Sequence, residues 1–133
     1  MPAFYVVVTF IPVPDNSMFI GGQIARSRGK PFIRISVAHI HVNIGLHVET
    51  DDAKRTPIYE MLMDRYDKAL KPHIYDKGYD WEIHIDETER RLWTLNGMSP
   101  PPFRSEDEKI WKHENRPISP EQMRSLRKEL SHL

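Results

Sequence analysis

No cysteine occurs in the 133 residues, which removes disulfides, thiolate nucleophiles and zinc–thiolate sites together and fits a reducing, cytoplasmic setting. Net charge is absent too, because nineteen basic residues balance nineteen acidic ones. With a pI near 7.1 the chain has no overall field to draw in nucleic acid or an anionic membrane. No apolar run approaches the roughly 20 residues that a spanning helix requires. The apolar opening also lacks the leading positive charge and small-residue cleavage site of a signal peptide. Internal repeats, low-complexity tracts and a linker that would divide the chain are missing as well.

What remains is one domain's worth of chain, with 39% hydrophobic and 29% charged residues, enough for a real core under a polar surface. The opening is its most informative part. Pro2 is followed by the β-branched, apolar run 3–10, expected to form a strand buried on both faces. A chain that enters such a strand at once has either a chemically special amino terminus or a missing beginning. Pro12 and Pro14 end the run, and 15–30, with Gly21-Gly22, Arg26 and Arg28, reads as an exposed loop. A second strand is expected over 32–42, with Ile33, Ile35 and Val37 on one face and Arg34 and Ser36 on the other.

The segment 51–77 predicts the main helix, with an apolar stripe of Ile58, Met61, Leu62, Tyr66, Ala69, Leu70 and Ile74. It starts either at a Thr56 cap followed by Pro57 or earlier, near Thr50. Pro72 is expected to kink or end it, and Gly78 suits its C-terminal cap. The alternation over 80–87 is a third strand, with Trp81, Ile83 and Ile85 inward and Glu82, His84 and Asp86 opposite. A short turn follows at 89–95, closed by Asn96-Gly97. The triple proline 100–102 directs the chain along the surface in extended form to about Ile118, anchored by Trp111. Ser119-Pro120-Glu121-Gln122 is a capping box for a terminal helix whose apolar edge is Met123, Leu126, Leu130 and Leu133. The division is a domain over 1–118 and an amphipathic helix over 119–133.

Several groups are candidates for chemistry. His39 and His41 lie on one face of a strand, and with His84 on a neighbouring strand they would offer three metal ligands; ordinary hydrogen-bonded histidines are the commoner outcome, and no metal is expected. Arg34, Glu82, His84 and Asp86 combine a carboxylate-binding guanidinium with acid–base groups, the ingredients for proton transfer on a small carboxylic acid, or else they form a solvated sheet face. Glu87 with Arg90 or Arg91 reads as a helix-entry charge pattern. Trp93 reads as core.

The ordered succession Pro2-Ala-Phe-Tyr-Val-Val-Val-Thr-Phe, Pro12-Val-Pro14, Phe19-Ile-Gly-Gly22, Pro31-Phe-Ile-Arg-Ile, Leu70-Lys-Pro-His-Ile, Lys77-Gly-Tyr-Asp-Trp-Glu, Asp86-Glu-Thr, Gly97 with Pro100-Pro-Pro102, and Trp111 with Glu114-Asn-Arg-Pro117 resembles a known group. It is similar to the fungal branch of the tautomerase superfamily, the cis-3-chloroacrylic acid dehalogenase-like oxalocrotonate tautomerases. The resemblance runs from residue 2 to about 118.

It implies an α/β sandwich of β-α-β units that assembles into a homo-oligomer. It further implies isomerase or hydration-dehalogenation activity on small unsaturated or 2-oxo carboxylic acids, without a cofactor, through an amino-terminal proline. Aligned on these motifs, the chain begins at the family's second strand. The fold expected is therefore a tautomerase-like sandwich that is N-terminally incomplete, with an extended Pro-rich segment and a terminal helix. Pro2 matches a proline just ahead of that second strand, His84 falls near an active-site tyrosine of the dehalogenase, and Leu95 falls near its glutamate. The region of its arginines reads Ala38-His39-Ile40-His41-Val42 here, leaving Arg34 as the nearest guanidinium.

The expected site is thus Pro2 and His84 as catalytic residues and Arg34 as substrate-binding residue, with a small carboxylic acid as ligand and activity weak or lost in this form. The alternative is a non-catalytic assembly or binding protein that keeps the scaffold. Met1 is expected to be removed because proline follows it, leaving Pro2 a secondary amine that titrates near the α-amino range of about 7.7–8.0.

Overall fold

Two strands with the same alternating pattern, β3 (Phe32–His39) and β4 (Asp80–Glu87), pair in parallel, and their register sets Ile33 beside Trp81, Ile35 beside Ile83 and Val37 beside Ile85. These six are half-buried, whereas Arg34, Ser36 and Ala38 and their partners Glu82, His84 and Asp86 are exposed. The computed structural model describes residues 1–130, except for the side chains of Leu46, His47, Glu129 and Leu130. His132 and Leu133 therefore lie outside the described residues, as do the side chains of His47 and Leu130.

The chain divides into two compact units, Phe10–Thr88 and Met1–Thr9 with Glu89–Leu133. In the first, a parallel pair demands a long crossover, and α1 (Asp52–Leu70) supplies it. Its start falls between the two expected positions. Asp51 is the cap, its carboxylate accepting the Ala53 N–H at 3.0 Å. Pro57 consequently lies inside the helix, where it removes one backbone bond. Arg55, Ile58, Leu62, Tyr66 and Leu70 form the half-buried stripe; Met61 and Ala69, expected within it, are exposed.

The helix stops at Leu70 rather than near Lys77: Pro72 sits in the turn that follows, and a separate 3-10 turn, Tyr75–Lys77, leads to β4. The second strand also ends early, at His39. A short hairpin interrupts the expected 15–30 loop. β1 (Phe19–Ile20) and β2 (Gln23–Ile24) pair antiparallel across Gly21-Gly22, whose φ angles of 57° and 79° are those of the tight turn that matches strand twist.

The strand expected over 3–10 does not form. Ala3–Tyr5 is a 3-10 turn, and the residues after it form no regular element and are open to solvent, with Val7 83%, Val8 69% and Phe10 91% exposed. β-branched composition favours a strand only where a neighbouring edge accepts its backbone bonds, and no strand among the described residues pairs with this segment.

The second unit is built on Trp111. This ring is 2% exposed and packs with buried Ile118 and Met123, against which Phe4, Tyr5, Leu95 and Met98 also lean. Tyr5 meets the half-buried Trp93 edge-on, with centroids 4.9 Å apart. Trp111 is the expected anchor, but its setting is helical rather than extended. α2 (Glu106–Glu114) begins at Ser105, whose hydroxyl accepts the Glu108 N–H at 3.2 Å. The proline run ends early enough to leave Ser105-x-x-Glu108 free to start a helix. In α3 (Pro120–Leu130) the expected capping box is complete. Ser119 Oγ accepts from the Gln122 N–H at 3.2 Å, and Gln122 Oε1 accepts from the Ser119 N–H at 3.0 Å.

Candidate active site

Parallel strands joined by a helix bring their carboxyl ends and the following loops to one edge, the usual place for a ligand in an α/β sheet. Here His39 ends β3 beside Glu87, which ends β4. One Glu87 oxygen accepts the Ile44 N–H at 2.6 Å and faces His39 Nδ1 at 3.3 Å. The other accepts the Gly45 N–H and the Tyr59 hydroxyl, both at 3.2 Å. The carboxylate thereby ties strand, loop and helix together.

Gly45 permits the close approach. A Cβ there would stand 3.0 Å from Arg55 Nη1 and 3.4 Å from the Tyr59 hydroxyl. Burial alone would raise the Glu87 carboxyl, but the N–H groups of Ile44 and Gly45, followed by Tyr59 and His39, outweigh it and hold the group below the ordinary glutamate range. Tyr59 moves up, first through burial and then through the Glu87 charge. A carboxylate that is ionised and surrounded by donors is poorly suited to taking a proton from a substrate. Its role is to position the loop.

That role carries a pH dependence. Because the folded-state pKa is depressed, the stabilisation is present above the ordinary glutamate value of 4.5 and is lost as pH falls through the lower folded value. Hydrogen-exchange protection of the Ile44 and Gly45 amides, corrected for intrinsic rates, is expected to fall below that pH in the native chain. Glu87→Gln should start lower and stay flat; the same pH dependence in that variant would contradict the assignment.

The residues anticipated from the sequence lie elsewhere. Arg34 ion-pairs with its register partner Glu82, and their side chains are 61% and 44% exposed. His84 is two positions further along β4, opposite Ser36, with Nε2 3.8 Å from Asp86 Oδ2. Strand spacing and rise put Arg34 and His84 about 8 Å apart on the same open face. Pro2 belongs to the other unit and is fully buried, with its carbonyl accepting the Tyr5 N–H at 3.3 Å.

The histidines do not gather as metal ligands. His39 shares the half-buried face with Glu87 while His84 is on the exposed one, and no group of three metal-ligating side chains occurs among the described residues. Glu87 itself does not open the following turn. Glu89 does, by accepting the Arg91 N–H at 3.1 Å. The signal for Glu87 was its parity: it continues Trp81, Ile83 and Ile85 on the inward face, where an acid must find donors.

A strand-helix-strand unit of this order is common to many enzymes, and the comparison that decides among them covers most of the chain. Residues 1–116 match the family described as "Putative oxalocrotonate tautomerase enzyme". The chain belongs to this tautomerase family. Two solved structures agree. The crystal structure of native RhCC from Rhodococcus jostii RHA1 is 41% identical with a TM-score of 0.74, over 89% of this chain and 75% of that one. The crystal structure of a probable enzyme from the thermophilic fungus Aspergillus fumigatus is 37% identical with a TM-score of 0.72, over 90% of this chain and 74% of that one. No curated protein is significantly similar to the chain. The tautomerase resemblance and the α/β fold are thus both met. Similarity to a bacterial and a fungal protein alike does not single out the fungal, dehalogenase-like branch.

Proposed function

We propose that this tautomerase-family chain moves a proton on small unsaturated or 2-oxo carboxylic acids without a cofactor, in the manner of the dehalogenase-like tautomerases, and works weakly in this form. The observation that carries the reading is the pairing of Arg34 and His84 on one open face of the β3–β4 pair. An exposed ion pair such as Arg34–Glu82 is worth only about 0–1 kcal/mol, so a substrate carboxylate displaces Glu82 at small cost and gains a two-pronged donor. His84, beside Asp86, is the proton donor to the developing oxyanion or carbon.

Pro2 is assigned as base on its chemistry. Once Met1 is gone its nitrogen is a secondary amine, a group able to take a proton from a carbon acid. Weak turnover follows from two carboxylates on that face, Glu82 beside Arg34 and Asp86 beside His84, which repel an anionic substrate. A homo-oligomer in the cytoplasm is the setting we assign. The exposed apolar segment from Val6 to Val13 supports self-association, and no helix among the described residues is long and apolar enough to cross a membrane.

Ketonisation of phenylenolpyruvate tests the reading. Arg34→Ala is expected to raise KM by about tenfold or more, the value of a charge-assisted hydrogen bond, and His84→Gln to lower kcat by about 10²-fold. Unchanged KM in the first and unchanged kcat in the second would overturn it.

A further inference from the structure

The second unit holds a groove of about 750 Å³, the size of a small-ligand site, between the 97–102 segment and helices α2 and α3. Its floor is Trp111, Ile118 and Met123, with Met98 at one side. Two guanidiniums, Arg124 and Arg127, stand in its lining with a single carboxylate, Asp107. Arg127 is committed to Asp107. Arg124 donates its Nε to the Pro120 carbonyl at 3.2 Å and pairs with no carboxylate among the described residues, so the groove carries one uncompensated positive charge.

The Trp111 Nε1–H has almost no accessible surface and no hydrogen-bond partner among the described residues, so it offers a groove ligand no donor and the ring contributes apolar surface. Met123, Arg124 and Arg127 come from α3, beyond the residues 1–116 that the family match covers. One wall of the groove, with both guanidiniums, therefore lies beyond the matched residues, while Met98, Asp107 and Trp111 lie within them.

We propose that the groove binds an amphiphilic monocarboxylate, with its aliphatic or aryl body on the Met98–Trp111–Met123 surface and its carboxylate at Arg124. The charge balance selects a monoanion. The apolar floor selects a body larger than that of the small acids handled at the sheet face, and the site is independent of that face.

Equilibrium dialysis of the full chain with radiolabelled decanoate, below its micelle concentration, provides the test. One saturable site per chain is expected, with decanol bound at least about tenfold more weakly because it lacks the charge. Arg124→Ala removes an exposed side chain and is expected to weaken decanoate by a similar factor while its circular dichroism stays native. Met123→Trp, which fills the groove, should abolish binding, and Arg34→Ala should leave it unchanged. Four results would each overturn the proposal: no saturable binding by the native chain, equal affinity for decanol, native affinity in a folded Arg124→Ala or Met123→Trp, or loss of binding in Arg34→Ala. None of these bears on ketonisation, so the tautomerase reading stands or falls separately.

Discussion

Trp111→Ala is expected to lower the stability of the unit formed by Met1–Thr9 and Glu89–Leu133 by about 3–5 kcal/mol, the usual cost of removing a large ring from a packed interior. The expectation follows from how small this core is. Its buried cluster is Trp111, Ile118 and Met123, and the rings of Phe4 and Tyr5 lie with centroids 6.0 and 6.4 Å from Trp111. A cavity there cannot be closed by one neighbour shifting, because three separate stretches of chain lean on the same ring. Native stability is ordinarily only about 5–15 kcal/mol, so the loss would consume a large part of it. Guanidinium denaturation reads the effect as a fall in midpoint. Trp111→Phe serves as the companion variant: it keeps most of the apolar volume and deletes the unpartnered N–H, so its cost should be a fraction of the alanine cost. An alanine variant within about 1 kcal/mol of the native chain would show that this unit is held together elsewhere.

The parts of the fold that were legible in the sequence are those whose own periodicity decides them. β4 alternates without a break from Trp81 to Glu87, and β3 does so from Ile33 to His39, so their faces follow from parity. The crossover helix and the Ser119–Gln122 cap were legible because a stripe and a box are local patterns. What could not be read locally is whatever depends on a partner. The run from Ala3 to Phe10 has strand composition, yet nothing in the sequence says whether an edge exists to receive it. α2 was hidden by the prolines before it, although Ser105 and Glu108 carried its signal.

At the candidate site the same division holds. Arg34 and His84 stand out in the sequence as polar residues on alternating strands, and both lie on the exposed face of the strand pair. The Glu87 cluster was missed because its four partners, His39, Ile44, Gly45 and Tyr59, come from a strand end, a loop and a helix that only the fold brings together. Pro2 is the opposite case. Its chemistry is visible in the sequence alone, and its burial is visible only in the structure.

Pro2 also allows the most direct test of the account, since an amide nitrogen cannot act as a base whereas a terminal proline can. Met1, 56% exposed, is open to removal. The measurement is kcat/KM for phenylenolpyruvate ketonisation by two preparations of the same chain, one beginning at Pro2 and one retaining Met1, with each amino terminus verified by intact mass. A base that transfers the proton in the rate-limiting step contributes about 10²–10⁴-fold, so the form beginning at Pro2 is expected to be faster by at least about 10²-fold. Equal rates in the two forms, or no turnover by the form that begins at Pro2, would contradict proline-based proton transfer in this chain.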